Sequence, residues 1–98
     1  MKNRDKAKLL AGVWHHPEVP TEVTVLLHDS NFAVSAIDTD DDEKFDISDV
    51  EWDGESLSFI TRMPSTGTTV KNSLTPETES TVNIEISYTE KWIKKPIA

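Results

Sequence analysis

The feature that most constrains this chain is its alternation. From Gly12 to Lys95 it runs as short stretches in which apolar and polar residues take turns, cut at regular intervals by turn-forming residues. A period of two sends successive side chains to opposite faces of an extended strand. Such runs joined by short turns specify an antiparallel up-and-down meander. The expected fold is therefore all-β, with six to seven strands. One face must be buried, which requires a small barrel, a strongly curled sheet or packing on a second sheet.

The individual elements follow from the same pattern. Residues 3–11 suit one short helix, with Asn3 or Asp5 as its cap, and residues 1–11 form a helical lead-in. Gly12 ends the helix and leads tightly into a first strand, Val13 to His16. Pro17 and Pro20 then impose an extended or turning segment. Glu22 to His28 is the second strand. Val23, Val25 and Leu27 occupy one face, and Leu26 makes the other partly apolar, so this strand is expected to be covered on both sides or to face a partner. Asp29-Ser30-Asn31 is a turn. Phe32, Val34 and Ala36 share a face of the third strand.

The fourth strand, about Lys44 to Trp52, breaks phase. Phe45 and Ile47 lie on one parity, Val50 and Trp52 on the other, so one extra residue near Ser48-Asp49 is expected as a β-bulge. Asp53-Gly54 reads as a two-residue type I′ hairpin turn. Leu57, Phe59 and Thr61 share a face of strand five, with Ile60 on the other. The turn 64–67 follows, then a weakly apolar strand from Thr68 to Leu74. The last strand places Val82, Ile84, Ile86, Tyr88 and Trp92 on one side, and Pro96 stops it.

Ninety-eight residues make a single β domain spanning 1–98. A domain of this size buries only roughly 60–70% of the surface its unfolded chain exposes, so association with a second copy would help it. The net charge is −8, which excludes a phosphate-tracking surface and therefore nucleic acid. No run approaches the ~20 apolar residues of a membrane-spanning helix. There is no cysteine, no signal peptide is evident in the charged first residues, and the expected compartment is the cytoplasm. Residues 38–55 carry ten acids and one base, while residues 1–8 carry four bases and one acid. Solubility accounts for that asymmetry. A sharper expectation is that the acidic stretch meets the basic N-terminus or Lys91, Lys94 and Lys95, within or between subunits.

Leu10-Ala11-Gly12-Val13-Trp14 resembles the start of a lipocalin or related calycin barrel. In that superfamily a short helix precedes a Gly-x-Trp on the first strand, and the Trp plugs the closed end. The resemblance implies a small calycin-like barrel here, with a basic residue near the last strand (Lys91, Lys94 or Lys95) stacked on Trp14. It covers one short motif and the meander. The chain is shorter than a typical lipocalin and lacks the usual C-terminal helix. It otherwise resembles small uncharacterised bacterial β-proteins.

Candidate chemistry is sparse. Asp38-Thr39-Asp40-Asp41-Asp42 opens like a calcium loop, but Glu43 stands where glycine is required and Asp49 where glutamate is required. A solvated hairpin tip fits better. His15 and His16 are adjacent on a strand and point to opposite faces, so a zinc site would need one of them beside His28 and an acid such as Glu18 or Asp29. Hydrogen-bonded histidines near a sheet edge are the simpler reading. Met63-Pro64-Ser65-Thr66-Gly67 has neither the nucleophile-elbow pattern nor P-loop spacing. No catalytic residue, metal or cofactor is expected, and the aromatic residues belong mostly to the core. Trp52 and Trp92 are the candidates for a cavity mouth or a dimer face.

The functional expectation is a non-enzymatic binding module. It would hold a small apolar or amphipathic ligand inside the curled sheet, lined by Val25, Leu27, Phe32, Val34, Phe59, Ile84, Ile86 and Tyr88. The alternative is a homodimeric structural or interaction subunit without a small-molecule ligand. An enzyme built on the three histidines and an acid ranks third.

Overall fold

A computed structural model describes residues 3–88, together with 94 and 96. Helix α1 spans Asn3–Leu10. Eight strands follow: β1 Gly12–His15, β2 Thr21–His28, β3 Asn31–Asp38, β4 Glu43–Lys44, β5 Asp46–Trp52, β6 Leu57–Arg62, β7 Thr69–Pro76 and β8 Val82–Tyr88. They form two antiparallel four-stranded sheets, β1-β2-β3-β4 and β5-β6-β7-β8. Every neighbour in a sheet is the next strand in sequence, as a meander requires.

Two expectations are corrected. Among the described residues there are eight strands rather than six or seven, and the sheets are not closed into a barrel. The expected fourth strand is two strands. Glu43–Lys44 finishes the first sheet, and Phe45 still donates its amide to Ala36 O at 3.0 Å. From Asp46 onward the chain pairs with β6 in the second sheet. The chain thus changes sheets at Phe45, with β4 and β5 as the sheet edges at the crossing and β1 and β8 as the edges at the two ends of the meander.

The expected bulge is present. Ser48 pairs with Ile60 and Glu51 with Ser58, so three steps on β5 oppose two on β6. Asp49 takes φ +52° at that point, the left-handed residue that lets the extra unit fold out. The shift also explains the broken parity, because Ile47 and Trp52 now face the same interior.

The type I′ turn falls elsewhere than expected. His28 pairs with Asn31, and the two residues between them, Asp29 and Ser30, both have positive φ, 47° and 69°. At Asp53-Gly54 only the glycine has positive φ, 97°. There the Asp53 carboxylate accepts the amides of Glu55 at 2.8 Å and Ser56 at 2.7 Å. Asp53 N also donates to Ser56 O at 3.2 Å, so the turn spans Asp53 to Ser56. The side-chain acceptor gives the backbone a better turn than a two-residue loop would.

The core joins both sheets and the helix. Val23, Val25 and Ala36 come from the first sheet, Leu57, Phe59 and Leu74 from the second, and Leu10 from α1. Burial on β2 is one-sided: Leu26 is 60% exposed, which corrects the expectation of a strand covered on both faces. The sheets meet along β3 and β5, where Phe32 and Trp52 lie with ring centroids 5.5 Å apart. Helix α1 packs on β2 and β7 and so bridges the two sheets.

Candidate functional site

The inner faces of the two sheets diverge between β1 and β8. The result is an apolar cleft of about 460 Å³. Its walls follow from strand parity. Trp14 pairs with Val23, so both face inward from the first sheet. Thr61 pairs with Val70, Asn72 with Ile86 and Leu74 with Ile84, so those six face inward from the second. Phe45, at the crossing between sheets, lines the cleft too, and Pro17 and Val19 add the β1–β2 connection to its edge. Ile84 and Ile86 are 40% and 51% exposed although they sit on the inner face. Two isoleucines on a concave surface without full cover make a ready apolar wall.

Polar side chains also reach the cleft: His15, His16, Thr21, Thr61, Asn72, Ser80 and Thr81. Thr61 Oγ1 donates to Val70 O at 3.4 Å and accepts from Asn72 Nδ2 at 3.2 Å. His16 Nδ1 accepts the amides of Glu18 at 2.9 Å and Val19 at 3.2 Å, which folds the β1–β2 connection back on itself. Because Nδ1 accepts, the neutral ring carries its proton on Nε2.

The residues expected to line a site are dispersed. Ile84 and Ile86 lie in the cleft. Val25 and Phe59 are sealed in the core, and Val34 packs against it half-buried. Leu27 and Phe32 line a second, more polar depression with Ala7, Lys8, Asp29 and Trp52, beside the helix. Tyr88 ends β8, and its side chain lies outside the described residues, as do Lys91, Trp92 and Lys95. Trp14, Phe45, Val70, Asn72 and Leu74 were missed. Their parity was readable, and the one distinctive signal was Asn72, a polar residue on the inward phase between Val70 and Leu74.

The metal readings find no geometry. Among the described residues no three histidine or acidic side chains come together. His15 pairs with Glu22, at the opposite end of β2 from His28, which puts them ~20 Å apart along the strand. His28 is instead exposed beside Asp29, with Nε2–Oδ2 of 3.4 Å. In the acidic tract the carboxylates hold their own turns: Asp38 Oδ1 accepts Asp40 N and Asp41 Oδ1 accepts Glu43 N, both at 2.9 Å. Glu43 also ties β4 to the β6–β7 turn, accepting from Ser65 Oγ at 2.7 Å. The basic N-terminus does meet the acidic stretch within the chain, through Lys6 and Glu55 at 3.8 Å. Lys94 is exposed, and no lysine stacks on Trp14 among the described residues.

No helix among the described residues is long and apolar enough to cross a membrane. No protein-family model, no curated protein and no solved structure matches the chain.

Proposed function

We propose that the chain is a non-enzymatic binding module that holds a small apolar or amphipathic molecule between its two sheets. The observation that carries this reading is the cleft of about 460 Å³ whose walls are Trp14, Phe45 and the inner faces of β7 and β8. Its size falls in the range of small-molecule sites, roughly 300–1,000 Å³, and its lining is mainly apolar with polar side chains among it. The likeness to a calycin barrel belongs to the same proposal. A short helix, a Gly-x-Trp and strands in sequential order surround an apolar interior, and the opening lies between β1 and β8, where a closed barrel would join its ends.

Titration with Nile red, a neutral apolar fluorophore, tests this reading. Saturable one-to-one uptake is expected, weakened at least tenfold by Ile86→Arg, which places a charge on the apolar wall at a position already half open to solvent. Absence of saturable uptake by the unaltered protein overturns it.

A second reading, a homodimeric interaction subunit without a ligand, draws on a different surface. Val13 and Leu26 are 58% and 60% exposed on the outer face of the first sheet. Sedimentation velocity at micromolar concentration separates the two: a dimer dispersed by Leu26→Asp, with no Nile red uptake, favours the subunit.

A further inference from the structure

We infer that Asn72 selects the ligand, so that the cleft takes a molecule with an apolar body and a hydroxyl or amide N–H donor and rejects one that ends in a carboxylate. This rests on the binding reading and adds its chemistry. Asn72 sits on β7 in the inward row between Val70 and Leu74, lines the cleft and is only 8% exposed. A buried amide must satisfy both ends or leave one for a partner.

The nitrogen end is spoken for. The two protons of Asn72 Nδ2 are shared among three acceptors, Thr61 Oγ1 at 3.2 Å, Val70 O at 3.3 Å and Phe59 O at 3.5 Å. Two of these partners are backbone carbonyls, which can only accept. Turning the amide over would set Oδ1 against both, so the orientation is fixed by the sheet itself. The Thr61 hydroxyl can turn to serve either orientation, so the two carbonyls alone decide it.

The oxygen end is different. Among the described residues nothing donates to Asn72 Oδ1, while no side-chain oxygen or nitrogen is sealed in the interior without a partner. Oδ1 therefore opens onto the cleft as a fixed acceptor on an apolar wall. Water can serve it when the cleft is empty. A ligand that displaces this water must bring a donor or forfeit the bond. A carboxylate has no donor at neutral pH, and it would enter a protein whose net charge is −8.

Three probes that share a decyl body separate the possibilities: decanol, methyl decyl ether and undecanoate. Each is scored at neutral pH by displacement of Nile red. Decanol is expected to displace at a concentration at least fivefold lower than the ether, and undecanoate to be weaker than both. In Asn72→Leu, checked for folding by circular dichroism, the alcohol should lose its advantage over the ether. The ligand series on the unaltered protein decides the matter even if that variant does not fold. Equal displacement by all three, or displacement by none while Nile red binds, overturns the role of Asn72 and leaves the cleft as a binding site. Failure of Nile red itself to bind overturns the binding reading on which the inference stands.

Discussion

The indole nitrogen of Trp14 donates a 2.8 Å hydrogen bond to the carbonyl oxygen of Leu10. Leu10 is the last residue of α1 and fully buried, so its carbonyl has neither a helical partner nor access to water. Trp14 supplies the missing donor from the first strand, only four residues on. Gly12, with φ +145°, makes the reversal between them. The motif Leu-x-Gly-x-Trp is thus a clasp that fixes the helix over the gap between the sheets.

Trp14→Phe keeps an aromatic ring against Val23 but removes that donor. It should lower stability by about 1–2 kcal/mol, the cost of leaving a buried carbonyl unpaired. Urea denaturation followed by circular dichroism measures it. A midpoint unchanged from the parent would mean that the clasp contributes nothing.

Phe59 and Leu26 make a sharper contrast, because sequence alone treats both as apolar strand residues. Phe59 is 1% exposed in the shared core, whereas Leu26 stands on the outer face. Phe59→Ala should cost about 3–5 kcal/mol. Leu26→Ala should stay within about 0.5 kcal/mol. Equal costs would show that the outer face of the first sheet is covered in solution.

Much of this architecture was legible in residue order. Alternation placed Val23, Val25, Phe59 and Leu57 on inner faces, and the parity break between Ile47 and Val50 announced the bulge at Asp49. The crossing at Phe45 was not legible. Lys44, Phe45 and Asp46 continue an unbroken strand pattern, and only pairing partners, Ile37 for Lys44 and Arg62 for Asp46, reveal that the sheets change there. The cleft was half legible for the same reason. Parity says that Val25 and Ile86 both face inward. It does not say that Val25 meets the opposite sheet while Ile86 lies where the sheets have parted.

Asp49 tests the bulge directly. Its φ of +52° is a conformation that β-branched residues tolerate poorly and glycine accepts freely. Asp49→Val should destabilise by roughly 1–2 kcal/mol, while Asp49→Gly should be neutral within about 0.5 kcal/mol. The opposite order in thermal denaturation would place the extra residue elsewhere on β5.

Asp53 gives the fold a pH dependence whose sign can be worked out. The amides of Ser56 and Glu55 hold its carboxyl below the usual carboxylate range. A carboxyl whose folded value is depressed contributes stability that is fully present above its unfolded value, about 4, and is lost as pH falls through the folded one. Asp53→Asn keeps an acceptor but no charge. The variant should be less stable than the parent at pH 7, and the gap should close as the solution is acidified below about pH 4. Denaturation midpoints of both proteins across that range check it. A gap that stays constant would mean that the ionised form is not what the turn uses.

His16 connects the fold to the cleft. Its Nδ1 gathers the amides of Glu18 and Val19, and the connection it folds brings Pro17 and Val19 to the edge of the cleft. His16→Ala frees both amides on a segment that is otherwise exposed, where water replaces the lost acceptor at little cost. Stability should therefore change by less than about 1 kcal/mol. Hydrogen exchange at Glu18 and Val19 should accelerate at least tenfold, while exchange in β6 and β7 stays unchanged. If the connection helps to retain the ligand, Nile red should dissociate faster with little change in its rate of uptake, since an edge that opens more often shortens residence more than it hinders arrival. Faster exchange with an unaltered dissociation rate would confine the role of His16 to local structure and leave retention to the walls formed by Trp14, Val70 and Ile86.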